Sequence, residues 1–385
     1  MSTIEVERSH TSGVYAKTSI QLVRGAGAHV WDSEGRKYID CVAGWGAAAV
    51  GHCHPSVVAA IQQQATRLLS CPESFYNDQR SYLTSRLADV APTGLTRSFL
   101  CNSGAESVEG AIKFARLTTH RPGIVATVNA FHGRTLGSLS ATWKPKFREP
   151  FQPLVPGFTH VQFDNLGEMA DVVNDQTAAV IVEVVQGEGG VYPCSPGYLQ
   201  GLQDICRQHG ALLVLDEVQT SMGRAGRMFA CEYHGVAPDL LCLGKAMAGG
   251  LPMGAVLIGP RIPQLTPGVH ASTFGGNPLI SSAAAATLDL VCEQDLPSRA
   301  ARLGTWMMDE LRKIGSPRIK EVRGLGLLVG IELNEDGQKY IAALRERGVL
   351  AMTAGPSVLR FVPPLVIEES DLAEVVSKLR EVLTA

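Results

Sequence analysis

The chain has few charged residues and no long apolar run. Charged side chains make up 18% of the 385 residues, hydrophobic ones make up 45%, and the formal net charge is -3. A slightly acidic chain does not attract nucleic acid or an anionic membrane surface, so neither is expected as a partner. No stretch approaches the roughly 18 consecutive apolar residues that a membrane-spanning helix requires. The low charged fraction is compatible with surface that is buried against a partner subunit.

Paired cysteines are also missing. The nine cysteines are an odd number, and none has the spacing of a CxxC motif or a zinc finger. They predict reduced thiols in a cytoplasmic protein. His52 and His54 flank Cys53 as metal ligands do, but no distant fourth ligand accompanies them, so no metal is expected. Residues 1–8 lack a basic stretch before an apolar core, which predicts no secretory signal peptide.

Short apolar runs alternate with helical patterns through the middle of the chain. Such runs, bounded by turn residues, indicate strands that are buried on both faces of a sheet. Their alternation with helices predicts an α/β fold with a mostly parallel sheet between helices. The predicted strands are 97–101, 124–128, 179–185, 212–216, 240–243 and 255–258.

The two ends of the chain have a different character, and 385 residues are enough for two domains. We predict a hairpin from 27–32 and 37–40, and a helix from 55 to 69. After residue 277, helices are predicted at 281–291, 302–314 and 371–383, with strands at 318–323, 326–332 and 358–361. The prediction is therefore an N-terminal segment (1–50) that joins the small domain, a large cofactor-binding domain (51–270) and a small α+β domain (271–385).

An aspartate and a lysine follow two of the predicted strands. Asp216 ends the run 212–216, and Lys245 follows the run 240–243. Side chains at the carboxyl ends of parallel strands point into the crevice where open α/β sheets bind ligands. Pyridoxal phosphate needs both groups, because an amine binds it covalently and a carboxylate keeps its ring nitrogen protonated. The alternative is a helix-capping aspartate and a surface lysine.

Two loops add groups of the same kind. Ser103 and Gly104 begin a predicted helix, where free amide donors and the helix dipole favour a phosphate. The alternative for Ser103 is an ordinary helix cap. In the loop 131–135, Phe131 suits stacking on a ring and Arg134 suits gripping a carboxylate. A loop phenylalanine is, however, often only a core residue.

A buried acid and a buried base also need partners. Glu183 ends an apolar run, and Arg360 lies within the predicted strand 358–361. Because a buried charge is costly without a counterion, pairing these two residues is one hypothesis. Their spacing in the sequence does not establish the pair.

Taken in order, these motifs resemble those of class III aminotransferases. The resemblance covers nearly the whole chain, and within the family it is similar to acetylornithine aminotransferases. It is more similar still to the aminotransferases that act on lysine linked to an amino-group carrier protein (the aminoadipate semialdehyde enzymes). The family motifs are 51–55, 102–106, 131–135, 183–190, 216–223, Lys245 and 272–278, and the finer likeness rests on 12–15, 39–42, 141–151 and 361–368.

The resemblance implies fold type I of the pyridoxal-phosphate-dependent transferases, with a sheet of seven-stranded type, and a homodimer with shared active sites. It implies that Lys245 binds pyridoxal 5'-phosphate covalently and transfers a proton, while Asp216 pairs with the ring nitrogen. The other implied cofactor contacts are Ser103, Gly104, Ala105 and, from the second subunit, Thr273 (phosphate), Phe131 (ring) and Gln219 (phenolic oxygen).

For the substrate, the resemblance implies that Arg134 binds a distal carboxylate and that Glu188 pairs with Arg360. Glutamate brings two carboxylates, whereas the reacting carbon of an ω-amine carries none, so Glu188 would neutralise Arg360 only while the amine is bound. Arg360 without any partner would cost about 3–5 kcal/mol. Tyr15 is also assigned to the substrate. Trp45, in a glycine-flanked loop, either forms a wall of the substrate mouth or belongs to the core.

The leading hypothesis is an aminotransferase that moves the ω-amino group of an α-N-blocked diamino acid to 2-oxoglutarate in lysine or arginine biosynthesis. The donor is N-acetylornithine, carrier-linked lysine or both. For an acidic carrier protein, Lys144, Lys146 and Arg148 would supply a basic rim, unless they are only a solvated loop. The alternatives are an isomerase like glutamate 1-semialdehyde aminomutase, an ornithine or 4-aminobutyrate aminotransferase, and a non-catalytic binding module.

Overall fold

The computed structural model describes residues 1–384. The strands of this part of the chain are β1 (Leu22–Ala26), β2 (His29–Asp32), β3 (Lys37–Asp40), β4 (Arg97–Cys101), β5 (Gly123–Thr127), β6 (Phe158–Val161), β7 (Thr177–Glu183), β8 (Val185–Gln186), β9 (Tyr192–Pro193), β10 (Leu212–Asp216), β11 (Leu240–Leu243), β12 (Gly254–Ile258), β13 (Ile319–Leu325), β14 (Leu328–Leu333), β15 (Val349–Leu350), β16 (Met352–Thr353) and β17 (Val358–Phe361).

The α-helices of the same residues are α1 (Thr3–His10), α2 (Ala43–Gly46), α3 (Pro55–Ala65), α4 (Asp78–Val90), α5 (Gly104–Thr119), α6 (Leu136–Ala141), α7 (Pro145–Arg148), α8 (Leu166–Val172), α9 (Tyr198–His209), α10 (Pro278–Glu293), α11 (Leu296–Arg312), α12 (Gln338–Glu346) and α13 (Glu369–Thr384). None of these helices is long and apolar enough to span a membrane.

A seven-stranded mixed sheet forms the centre of the fold. Its strand order is β4-β12-β11-β10-β7-β5-β6, and only β12 runs antiparallel to its neighbours. Along β10, Leu212 and Val214 pack on one face with the apolar side of α5, while Leu213 and Leu215 join the larger core on the other face. Burial on both faces explains why the strand reads as a continuous apolar run.

The predicted α/β sheet is confirmed, and several strands differ from the prediction. The strand β6 was not predicted, because it is short and only its last residue, Val161, is fully buried. The predicted strand 179–185 begins earlier and ends at Glu183, where the apolar chain turns into the small hairpin of β8 and β9. The predicted strand 326–332 starts at Leu328, because Gly326 has a φ of +56° and forms a turn.

Two smaller sheets contain the ends of the chain. The predicted hairpin is confirmed as β2 and β3, and β3 also pairs in parallel with β15 from near the carboxyl end. The other sheet has the order β13-β14-β17-β16. The helix α10 packs against α3 and α4. The predicted helix at 55–69 ends at Ala65, and the division at residues 50 and 270 stays a prediction.

Candidate active site

The carboxyl ends of the central strands bring the predicted charged residues together. In the sheet register, Asp216 at the end of β10 lies beside Glu183 on β7 and Cys242 on β11. Lys245 follows β11 after Gly244, so it reaches the same edge. The strand ends therefore place an amine and two carboxylates in one crevice, as the parallel topology predicts.

Asp216 is held by a histidine to which the sequence analysis assigned no role. His132 Nδ1 lies 2.7 Å from Asp216 Oδ2, and both side chains are buried. Asp216 Oδ1 accepts a hydrogen bond from the backbone N–H of Val218 at 3.0 Å. Burial lowers the pKa of His132, but the hydrogen bond and charge of Asp216 outweigh burial and raise that pKa above its usual value. The contact with His132 therefore fixes the position of the Asp216 carboxylate in the crevice.

Lys245 occupies a strained backbone conformation. Its φ is +42°, a region that residues other than glycine rarely adopt and that is frequent at functional sites. Burial lowers the pKa of the Lys245 ammonium, and the nearby carboxylate of Glu188 opposes this effect only in part. A lowered pKa raises the fraction of neutral amine, which is the nucleophilic form.

The helix α5 begins with a cap and a close-packed glycine. Ser103 Oγ accepts a hydrogen bond from the N–H of Glu106 at 3.2 Å, so the ordinary cap exists. The N–H groups of Gly104 and Ala105 lie in the first turn, where the helix leaves them unpaired. A Cβ on Gly104 would lie 2.6 Å from a Val218 methyl, so the helix start packs directly on the loop after Asp216. These two unpaired amides suit an anion.

Glu183 connects two loops and does not pair with Arg360. Its Oε1 accepts a hydrogen bond from the N–H of Phe131 at 2.9 Å, and its Oε2 accepts one from Gly187 at 3.1 Å. Burial raises the pKa of Glu183 to about 7. The hypothesis of a Glu183–Arg360 pair is therefore wrong, because backbone amides satisfy the buried carboxylate.

Gln219 lies against Gly187, and its buried Nε2 has no hydrogen-bond partner in residues 1–384.

The ion pair implied by the resemblance is present. Glu188 Oε1 lies 2.5 Å from Arg360 Nη2, and Arg360 is only 1% exposed. Burial raises the pKa of Glu188, but the Arg360 guanidinium outweighs it and lowers that pKa below its usual value. Within the described residues, Arg360 Nε and Nη1 have no hydrogen-bond partner. Arg360 thus has donors left over for a second anion.

Of the three residues predicted to form a basic rim, Lys144 turns inward. Its Nζ donates a hydrogen bond to the backbone carbonyl of Glu188 at 2.7 Å. Lys146 is exposed and Arg148 is partly exposed. The prediction that Lys144 belongs to the rim is therefore wrong, because its ammonium points into the crevice.

Arg134 lies beside two aromatic rings. It is exposed, and its Cζ lies 3.7 Å from the ring centroid of Phe147 and 5.4 Å from that of Phe131. The rings of Phe131 and Phe147 meet edge to face. The two rings orient the guanidinium, and no carboxylate of residues 1–384 forms an ion pair with it. The guanidinium is therefore available to the carboxylate of a substrate.

Trp45 belongs to the surface and not to the core. Tyr15 and Trp45 are 65% and 55% exposed, and their rings are stacked with centroids 6.2 Å apart. Ala43, Gly44 and Trp45 all have positive φ values. The turn is anchored at its start, because Asp40 Oδ1 accepts hydrogen bonds from the N–H groups of the two residues before Gly44. Of the two readings of Trp45, the core residue is excluded.

The remaining predicted positions have simple surroundings. Thr273 is exposed, and its neighbour Ser272 accepts a hydrogen bond from Asn102, next to the start of α5. His52 pairs with Asp40 at 2.7 Å. His54 caps α3. The described residues contain no cluster of three or more groups that could hold a metal ion.

Comparison with known proteins gives a consistent result. The family model described as "Aminotransferase class-III" matches residues 12–383. The chain is 48% identical to the [LysW]-aminoadipate semialdehyde transaminase of Deinococcus radiodurans, covering 99% of this chain and 90% of that protein. It is 45% identical to the acetylornithine aminotransferase of Methanothermobacter thermautotrophicus, covering 99% and 98%.

Solved structures share the fold. The ornithine aminotransferase of Toxoplasma gondii, crystallised in the presence of oxidised glutathione and with partial occupancy of pyridoxal phosphate, superposes with a TM-score of 0.95. That match has 34% sequence identity and covers 99% of this chain and 93% of the other.

Proposed function

The chain belongs to the class III aminotransferases and is a pyridoxal-phosphate-dependent enzyme, and within that family we propose that it transfers the ω-amino group of an α-N-blocked diamino acid to 2-oxoglutarate. The observation that carries this proposal is the ion pair between Glu188 and the buried Arg360. An enzyme that takes up both a dicarboxylate and an ω-amine needs a cation for the α-carboxylate of the first substrate. A side chain of the protein must neutralise that cation when the ω-amine, which has no carboxylate on its reacting carbon, is bound. Glu188 supplies that neutralisation.

The crevice fits the cofactor. The unpaired amides at the start of α5, the unpaired Gln219 Nε2 and the Asp216 carboxyl group are the donors and acceptor that a phosphate, a phenolic oxygen and a protonated ring nitrogen require. We assign Ser103, Gly104 and Ala105 to the phosphate and Phe131 to the ring face. When bound, pyridoxal phosphate supplies an electron sink for the carbon next to the amine.

Lys245 has two proposed tasks. Its amine, with a pKa lowered by burial, would hold the cofactor covalently and would move the proton at the reacting carbon. His132 positions the Asp216 carboxyl group, which would contact the ring nitrogen. We expect Lys245→Ala to bind pyridoxal phosphate and to lose turnover. Wild-type turnover in this variant would disprove the assignment.

Arg360 and Arg134 divide the substrate carboxylates between them. With glutamate, the α-carboxylate takes Arg360 and the distal carboxylate takes Arg134. With an ω-amine donor, Glu188 stays on Arg360, because the reacting carbon carries no carboxylate. We place Tyr15 and Trp45 at the outer wall, where the blocked end of a long donor would lie.

The donor is proposed to be carrier-linked lysine, N-acetylornithine or both, in lysine or arginine biosynthesis. Both classes are named among the relatives at similar identity. Lys146 and Arg148, outside the crevice, are compatible with an acidic carrier protein. The ratio of the kcat/KM values that the wild-type enzyme shows with the two donors decides between them. If the enzyme is active with neither donor, the proposal is refuted.

Glutamate alone separates transfer from isomerisation. The proposed enzyme releases 2-oxoglutarate from glutamate in a single turnover, with a change in cofactor absorbance. An isomerase that shifts an amino group within one molecule would release none.

We also propose that the enzyme is a homodimer in which Thr273 reaches the phosphate of the other subunit. A monomeric mass in light scattering, with full activity, would refute the shared site.

A further inference from the structure

Lys144 is a second cation beside the Glu188–Arg360 pair. Its Nζ lies 2.7 Å from the Glu188 carbonyl oxygen, and this is its one hydrogen bond within the described residues. An ammonium has three donors, so two remain unused. No carboxylate in residues 1–384 forms an ion pair with it. Lys144 is therefore a partly buried amine that pairs with no carboxylate of the described residues.

The position of Lys144 is set by its neighbours in the chain. The N–H of Trp143 donates to the carbonyl of Ala130 at 2.9 Å, and Pro145 begins α7 directly after Lys144. The backbone of Lys144 is therefore held in place next to the Phe131 loop, and its side chain extends from that position. Burial lowers the pKa of Lys144, and the charge of Glu188 opposes this change.

Glu188 must find another partner during the glutamate half of the cycle. When a substrate α-carboxylate takes Arg360, the carboxylate of Glu188 is displaced. Its side chain is 31% exposed and is flanked by Gly187 and Gly189, so it has space to turn. Its own carbonyl is already hydrogen-bonded to Lys144. Lys144 is therefore the cation that is already attached to the backbone about which the Glu188 side chain would rotate.

We propose that Lys144 is a positioning residue that receives the Glu188 carboxylate whenever a dicarboxylate substrate occupies Arg360. This inference rests on the proposed function, because it assumes that Glu188 leaves Arg360 for glutamate. Lys144 acts through Glu188 and does not touch the substrate. It lowers the free energy of the glutamate-bound state and leaves the amine-bound state unchanged.

The test measures the two half-reactions separately in Lys144→Met. We expect kcat/KM for glutamate to fall at least tenfold, equivalent to about 1.4 kcal/mol, and the value for the ω-amine donor to stay within threefold. Lys144→Arg should retain most of the glutamate rate. Lys146→Met, which removes the same charge two residues away, is the matched control for the glutamate half-reaction and should change kcat/KM for glutamate by no more than twofold. An equal loss in both half-reactions, or an equal loss in the control, would overturn the proposal.

A binding experiment separates action through Glu188 from direct contact. Glutarate, a dicarboxylate without an amine, should bind at least tenfold more weakly to Lys144→Met than to the wild type in calorimetry. In a Glu188→Gln background, the same substitution should have no further effect, because no displaced carboxylate remains. A full additional loss in that background would overturn the inference. Thermal unfolding of Lys144→Met and Lys144→Gln checks that the folded state is kept.

The two proposals fail in different ways. If the wild type does not accept ω-amine donors, the proposed function fails, yet the effect of Lys144 on glutarate binding can still be measured. If the donors react and glutarate binding is insensitive to Lys144, only the inference fails.

Discussion

Gly104→Ala tests how closely the helix start approaches the cofactor crevice. The added Cβ would lie 2.6 and 2.8 Å from the two methyl groups of Val218, against about 3.5–4.0 Å for a normal carbon contact. The backbones of Gly104 and Gly244 also lie close together, since a Cβ built on Gly244 would be 3.0 Å from the Cα of Gly104. Overpacking of this size costs about 1–3 kcal/mol. Relief of the clash would displace the backbone N–H groups that we assign to the phosphate.

We therefore expect the dissociation constant for pyridoxal phosphate to rise about 5–150-fold, the factor that corresponds to about 1–3 kcal/mol. The assay is a titration of cofactor-free enzyme, followed by cofactor absorbance. Val218→Ala removes both clashing methyl groups, so the double variant should recover most of the affinity. Wild-type affinity in Gly104→Ala, or no recovery in the double variant, would refute the reasoning from packing.

Further predictions concern charge. Glu188→Ala leaves Arg360 buried without its anion, so the free energy of unfolding of the cofactor-free protein should fall by about 3–5 kcal/mol in urea titrations. A change below about 0.5 kcal/mol would contradict this. Because the folded pKa of Glu183 is raised from 4.5 to about 7, the folded protein binds that proton more tightly than the unfolded chain. Stability should therefore decrease as the pH rises from 4.5 to 7, by up to about 1.4 kcal/mol per unit, and Glu183→Gln should flatten the dependence. An unchanged slope would show that another group is responsible. Replacing Lys146 and Arg148 with Glu should lower kcat/KM about tenfold for a carrier-linked donor, more at low salt, and spare N-acetylornithine. Equal loss for both donors would exclude carrier docking.

The parts of the fold that follow from local pattern could be predicted. β10 and β11 are continuous apolar runs, and a strand buried on both faces has no other composition. Asp216 and Lys245 could be predicted to lie close together, because they follow parallel strands, which end at the same edge of the sheet. β6 could not be found in this way, since it lies at the edge of the sheet and alternates between partial burial and exposure.

The partners of buried charges depend on the folded chain. Glu183 and Glu188 stand five residues apart in the same segment, and either could have reached Arg360 on sequence grounds. The structure separates them because backbone amides occupy Glu183, a kind of partner that sequence does not reveal. His132 was adjacent to Phe131 and could have been noticed as a polar residue within a loop at a strand end. Its contact spans 84 positions and becomes visible only after folding.

In the left-handed turn that contains Trp45, the path of the backbone does not depend on the side chain at position 45. Asp40 anchors the backbone through two amide hydrogen bonds, and the exposed indole stacks on Tyr15. The side chain at position 45 can therefore be exchanged while the loop keeps its path. The positive φ sets the permitted choices: glycine and asparagine tolerate it, whereas valine and isoleucine do not. Because we propose that Trp45 lies at the outer wall of the donor site, we expect single replacements at this position to change donor preference without changing the course of the backbone.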